Sequence, residues 1–132
     1  MSTFRHTSPV AMGSRDSNDR LRAALHRLGD SGRRPRHVLH YAYPAPGADP
    51  RVREAIVAEL GRRGFRVAAS SLRGGVVFRH DASVACPGFD TMTAEIAGRL
   101  AALGWEYDGW ECLPPVDVAL IYWRCLDTAT AR

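Results

Sequence analysis

The apolar period of this 132-residue chain switches several times between that of a helix and that of a strand, and a glycine or proline marks most of the switches. Leu21, Leu25 and Leu28 recur at helical spacing after Asn18-Asp19, both good N-cap types, and Gly29 stops the run. Arg36–Tyr43 then alternates, with Leu39, Tyr41 and Tyr43 on one face, which predicts a strand. Asp49-Pro50 opens a second helix, with the carboxylate as N-cap and proline at the first helical position; Val52, Ala55, Ile56 and Leu60 form its apolar stripe. Phe65, Val67 and Ala69 alternate again, Gly74-Gly75 turns the chain, and Val76-Val77-Phe78 returns as the other arm of a hairpin. A third helix is predicted from Asp90 or Thr91, with Met92, Ile96, Leu100 and Leu103 inward. Trp105–Leu113 is the last core strand.

Apart from the first helix, the order is β-α-β-β-α-β. That order predicts an α+β fold, a ferredoxin-like βαββαβ sandwich with two helices on one face of a four-stranded antiparallel sheet. The N-terminal helix is an addition, and Val116–Arg124 alternates as a C-terminal edge strand. Residues 1–17 read as a flexible N-terminal tail, 18–113 as the domain, and 114–132 as a C-terminal extension of edge strand and tail. The length suits one domain with a self-supporting core.

Several functional classes drop out. No stretch approaches the ~18 consecutive apolar residues of a membrane span, and Met1–Ser17 lacks the apolar region of a secretory signal, so a cytoplasmic location is expected. Cys86, Cys112 and Cys125 have no C-x-x-C or other metal-ligand spacing and read as reduced, structural thiols. None of the five histidines sits at metal spacing with a carboxylate, and His40 reads as a satisfied strand histidine. Gly75-Val76-Val77-Phe78-Arg79 is similar in type to the phosphate-cradling loop of acylphosphatases, but that loop follows the first strand and this stretch lies in the third. With no nucleophile–base constellation, the expectation is a binding protein with no catalytic residues, no cofactor and no metal.

Eighteen basic residues face fourteen acidic ones, a net charge of +4, and every basic residue is arginine. With nineteen alanines and twelve glycines alongside, the absence of lysine reads mainly as coding bias. Placement says more. In the expected topology Arg33, Arg34, Arg36, Arg62, Arg63, Arg66, Arg79 and His80 gather at one end, either scattered over solvated loops and partly offset by Asp81, Asp90 and Glu111, or as a basic pole suited to an acidic protein segment or to weak RNA contact. RNA-recognition domains share this element order. Their third-strand aromatic positions, however, are occupied here by Gly75 and Val77.

Trp105-Glu106-Tyr107-Asp108-Gly109-Trp110-Glu111 is the most unusual stretch. Strict alternation would put Trp105 and Tyr107 on one face and Trp110 and Cys112 on the other. A bulge at Asp108-Gly109 would bring all four to the same face. Aromatics stacked on the helix layer, aligned by that bulge, explain most of the stretch; in the alternative reading Trp110, Asp108 and Glu111 are the first candidates for partner contact, since tryptophan dominates interface hot spots. Arg33, Arg34, Arg36, Arg62 and Arg63 come second.

The run Gly104-Trp105-Glu106-Tyr107-Asp108-Gly109-Trp110-Glu111 resembles the Gly-x-Glu-Tyr-Asp-Gly-Trp signature of the regulator of ribonuclease E activity B (RraB) family. Gly29-Asp30 with Pro35–Tyr41, and Leu60 with Gly64-Phe65-Arg66-Val67, are similar to that family's approach to its first strand and its helix-to-strand step. The resemblance covers about residues 19–113. It implies a ferredoxin-like sandwich without catalysis of its own, which binds a ribonuclease E-type endoribonuclease and restrains it. Well-known members are strongly acidic with acidic tails; this chain is basic and has none.

Overall fold

The computed structural model describes residues 12–70 and 73–115. Its elements run α1 (Arg15–Arg27), β1 (Arg36–Pro44), α2 (Val52–Arg62), β2 (Arg66–Ala69), β3 (Val76–Ala82), α3 (Pro87–Ala102) and β4 (Trp105–Pro115). The four strands form one sheet in the order β2-β3-β1-β4, with every neighbouring pair antiparallel. The fold is α+β. The expected edge strand Val116–Arg124 and Cys125 lie outside the described residues, as do residues 1–11 of the expected tail.

The helix starts differ from expectation. Helix α1 begins at Arg15, where the Ser14 hydroxyl accepts the Ser17 N–H at 3.1 Å. Asn18 is therefore not the cap: it sits in the first turn and is fully buried. Gly13 is buried too, and its carbonyl accepts the Thr93 hydroxyl at 2.7 Å, so residues 13–17 belong to the fold rather than to a tail. Asp49 does accept the Arg51 N–H at 2.9 Å, but α2 proper begins at Val52, after a turn. Helix α3 begins at Pro87, with Cys86 as N-cap residue and the fixed φ of proline suited to the first helical position. Asp90 lies inside that first turn, and its carboxylate reaches α1 instead of capping α3.

Alternation assigns the sheet faces. Arg36, Val38, His40 and Ala42 of β1 point the same way as their β3 partners Ala82, His80, Phe78 and Val76. Strand β3 is longer than the Val76–Phe78 expected because this alternation continues through Arg79 and Asp81 on the opposite face. Val38, Ala42, Val76 and Phe78 share one apolar core with Ile56 and Leu60 of α2 and Ile96 and Leu100 of α3. Both helices thus cover the same sheet face, and each large side chain buried there contributes about 1.5–3 kcal/mol.

Strand β4 joins that core through a register shift. His40 faces Trp110 while Ala42 faces Tyr107, so three steps on β4 match two on β1. The extra residue falls at Asp108-Gly109, where Gly109 takes a φ of +92°. Trp105, Tyr107 and Trp110 are all buried as a result, and Cys112 packs against the same core. This is the bulge expected from the sequence.

Asn18 fastens the layers together. Its amide nitrogen donates to Asp90 Oδ1 at 2.8 Å and to Thr93 Oγ1 at 2.9 Å, while its oxygen accepts the Trp110 indole N–H at 2.7 Å. Arg22 adds an ion pair to Asp90 at 2.9 Å. One buried amide thus joins α1, α3 and β4, and all its described polar atoms are satisfied.

Candidate functional site

A cleft of about 600 Å³ opens where β2 starts, lined by His37, Leu39, Gly64, Arg66, Arg79, His80 and Asp81. Strand β2 has only four residues and pairs with β3 from Arg79 to Val76, so His80–Ala82 run on past its end. Arg66 and Arg79 face each other directly across this ladder, and both are exposed. The same cross-sheet row continues through Leu39 to Glu111. Asp81 bonds the His37 ring at 2.6 Å across β1 and β3.

Behind the cleft lies a buried polar chain. His80 Nε2 is 3.0 Å from His40 Nε2, and His40 Nδ1 is 2.7 Å from the Tyr107 hydroxyl. One proton, and only one, fits between the facing Nε2 atoms, so the donors must alternate along the whole chain. Phe78 stacks on the His40 ring, and Phe65 meets it edge-on. Burial in this aromatic setting, with His80 beside it, pushes the His40 pKa down to about 3. Burial lowers His80 as well and raises the Tyr107 hydroxyl. The neutral forms are therefore favoured at pH 7, and the chain has two neutral donor orders, from Tyr107 toward His80 or the reverse; exchanging them takes up a proton at one end and releases one at the other.

His40 matches the satisfied histidine expected from the sequence. Its link to His80 was not foreseen. The available signal was that both residues fall on the inward parity of their strands.

The expected contact residues divide. Asp108 and Glu111 are exposed on β4, and the Tyr41 hydroxyl donates to the Glu111 carboxylate. Burial and that carboxylate raise Tyr41 to about 12. Trp110, by contrast, is only 6% exposed, with its indole N–H turned toward Asn18. A contact role for Trp110 would require the core to open.

The eight groups expected to form one basic pole do not share a surface. Arg36 points inward, is 0% exposed, and donates to both oxygens of Asp30 at 2.6 and 2.8 Å. Arg63 is paired with Glu95 at 2.9 Å, on the outside of α2 and α3. Arg33 lies in a groove with Arg22, His26 and Arg27 of α1. Arg34 and Arg62 are exposed, on the loop before β1 and at the end of α2. Strand alternation and nearby carboxylates break up the pole; of its members, Arg66, Arg79 and His80 share the cleft.

Among the described residues no group of three or more His, Cys, Asp or Glu side chains is placed to hold a metal. Cys86 and Cys112 are free thiols; burial raises the Cys112 pKa, with the Arg36 guanidinium working against it. No helix among the described residues is long and apolar enough to cross a membrane. In comparisons with known proteins, no family model, curated protein or solved structure matches this chain.

Proposed function

We propose that this chain is a non-enzymatic docking protein of the RraB type, a ferredoxin-like βαββαβ domain that binds a ribonuclease E-type endoribonuclease in the cytoplasm and restrains RNA cleavage. The order β2-β3-β1-β4 with antiparallel neighbours supports the ferredoxin-like reading. The signature residues Trp105, Tyr107, Gly109 and Trp110 build the core and the bulge, so the resemblance bears first on architecture. The observation that carries the docking role is the exposure of Asp108 and Glu111 on β4, an end strand of the described sheet, against a rigid aromatic backing. Interfaces favour contact groups held on a fixed support, because little side-chain and loop ordering is then needed on binding.

The test is cleavage of a defined RNA by purified ribonuclease E-type enzyme, with and without the full chain. Slower cleavage with a co-eluting complex, relieved by Asp108→Arg and Glu111→Arg, supports the reading. Unchanged cleavage and no complex overturn it. Retention of RNA by the chain alone, falling steeply with salt, would favour the alternative of an RNA-binding domain.

A further inference from the structure

We propose that the cleft at the start of β2 is a binding site for a compact phosphate group, gripped by Arg66 and Arg79. Two like charges directly opposite each other in a ladder are destabilising, their Cβ atoms only ~5 Å apart. Several arginines of the described residues are neutralised by pairing: Arg22 with Asp90, Arg36 with Asp30, Arg63 with Glu95, and Arg99 with Glu59. Arg66 and Arg79 make no ion pair with a described carboxylate, although they line a cleft large enough for a small ligand. An anion between them would turn the repulsion into two attractions.

The surroundings define which anion. A carboxylate is satisfied by one guanidinium fork, whereas two forks on opposed strands match the three terminal oxygens of a phosphate monoester or inorganic phosphate. His80 also lines the cleft, half-buried and from the helix-facing side of β3; with Nε2 turned to His40, its Nδ1 is a donor or an acceptor according to the tautomer. The boundary is acidic. Asp81, two residues from Arg79 on the same sheet face, is engaged with His37. Glu111 closes the far end of the row, roughly 10 Å or two strand spacings from Arg79. A continuous polyanion would run against these carboxylates, while a single phosphate stays on the β2/β3 side. The site does not depend on the nuclease-docking reading.

Titration of the full chain with inorganic phosphate and with adenosine 5′-monophosphate, followed by NMR at the arginine Nε–H and His80 resonances, tests the assignment. Saturable binding of both probes is expected, with a phosphate-dependent rise in melting temperature. Arg66→Ala or Arg79→Ala should each weaken binding at least tenfold and abolish the rise. Arg66→Lys, which keeps the charge but loses the fork, should fall between. Both side chains are exposed, so the variants should stay folded, as near-ultraviolet circular dichroism would verify. No saturable phosphate binding overturns the site, as does equal affinity in the alanine variants. Tighter binding of a 5′-hydroxyl RNA octamer than of the monophosphate would also overturn it, pointing to an extended nucleic-acid track.

Discussion

The Trp110 indole N–H donates to the Asn18 side-chain oxygen at 2.7 Å, and both residues are buried although 92 positions separate them. Removing either partner leaves a buried polar group unsatisfied. Asn18→Ala is expected to cost about 2–3 kcal/mol. Trp110→Phe, which keeps most of the packing, should cost about 1–2 kcal/mol. Trp110→Ala, which also opens a cavity, should cost about 3–5 kcal/mol. Urea unfolding measures all three. Full stability in Trp110→Ala would move the indole out of the core and back to an interface role.

The β4 bulge rests on Gly109. Its φ of +92° is one that a side chain adopts only with strain, so Gly109→Ala should lose about 1–2 kcal/mol. A Cβ there would also meet the Met12 terminal methyl, the mobile end of a long side chain. Met12→Ala should therefore restore little in the double variant. Gly75 contrasts with it: a Cβ there would run into the Ala42 carbonyl and the Tyr43 ring, and backbone cannot step aside. Gly75→Ala should cost about 1–3 kcal/mol and loosen the β1–β3 ladder, visible as faster amide exchange.

The histidine pair predicts a pH dependence of defined sign. His40 titrates near 6.5 when unfolded and at about 3 when folded, lowered by burial and by His80. Between those values the unfolded chain binds more protons, so stability is full above pH 6.5 and declines as pH falls below it. His40 alone supplies a slope of up to about 1.4 kcal/mol per pH unit, and His80 acts in the same direction. The paired carboxylates Asp30, Asp90 and Glu59, all held below their ordinary pKa, lose their contribution only at lower pH. Denaturation at pH 7 and pH 5 should show the loss. His40→Gln should flatten it even though it lowers stability at pH 7; an unchanged slope would show that another group is titrating.

Arg36 tests an ion pair of which only the guanidinium is fully buried. Its fork meets both oxygens of Asp30, and its Nε–H donates to the Arg34 carbonyl at 3.1 Å. Arg36→Ala empties a fully buried volume and leaves the partly exposed Asp30 with the Gly32 N–H, at an expected cost of about 2–3 kcal/mol. Arg36→Lys retains the charge without the fork and should recover only part. Equal stability of Arg36→Lys and the parent chain would count against the bidentate pairing.

The order of the elements was legible because alternation and helical spacing are local, and so was the bulge, which parity demanded once three aromatics flanked Asp-Gly. The starts of α1 and α3 were not. Asn18 and Asp90 are good cap types, but they spend their polar atoms on each other and on Arg22, Thr93 and Trp110. No short window contains both sides of such a bond. The basic pole failed for a related reason: topology gives the end of the molecule at which an arginine lies, but not the carboxylate that claims it. Asp30 took Arg36 from six residues away, and Glu95 took Arg63 from thirty-two. The tautomeric link from His80 to Tyr107 likewise spans three strands.

The Asn18–Trp110 bond also sets a schedule for synthesis. Helix α1 is the first described element to leave the ribosome, and the indole that satisfies its buried amide belongs to the last. At about 5–20 residues per second, roughly 5–20 s pass between the translation of these two residues. During that interval the nascent helix has a polar side chain and an apolar stripe with no sheet to receive them. A translational pause before β4 would prolong this exposed state, and holding the nascent chain away from its neighbours would matter most then.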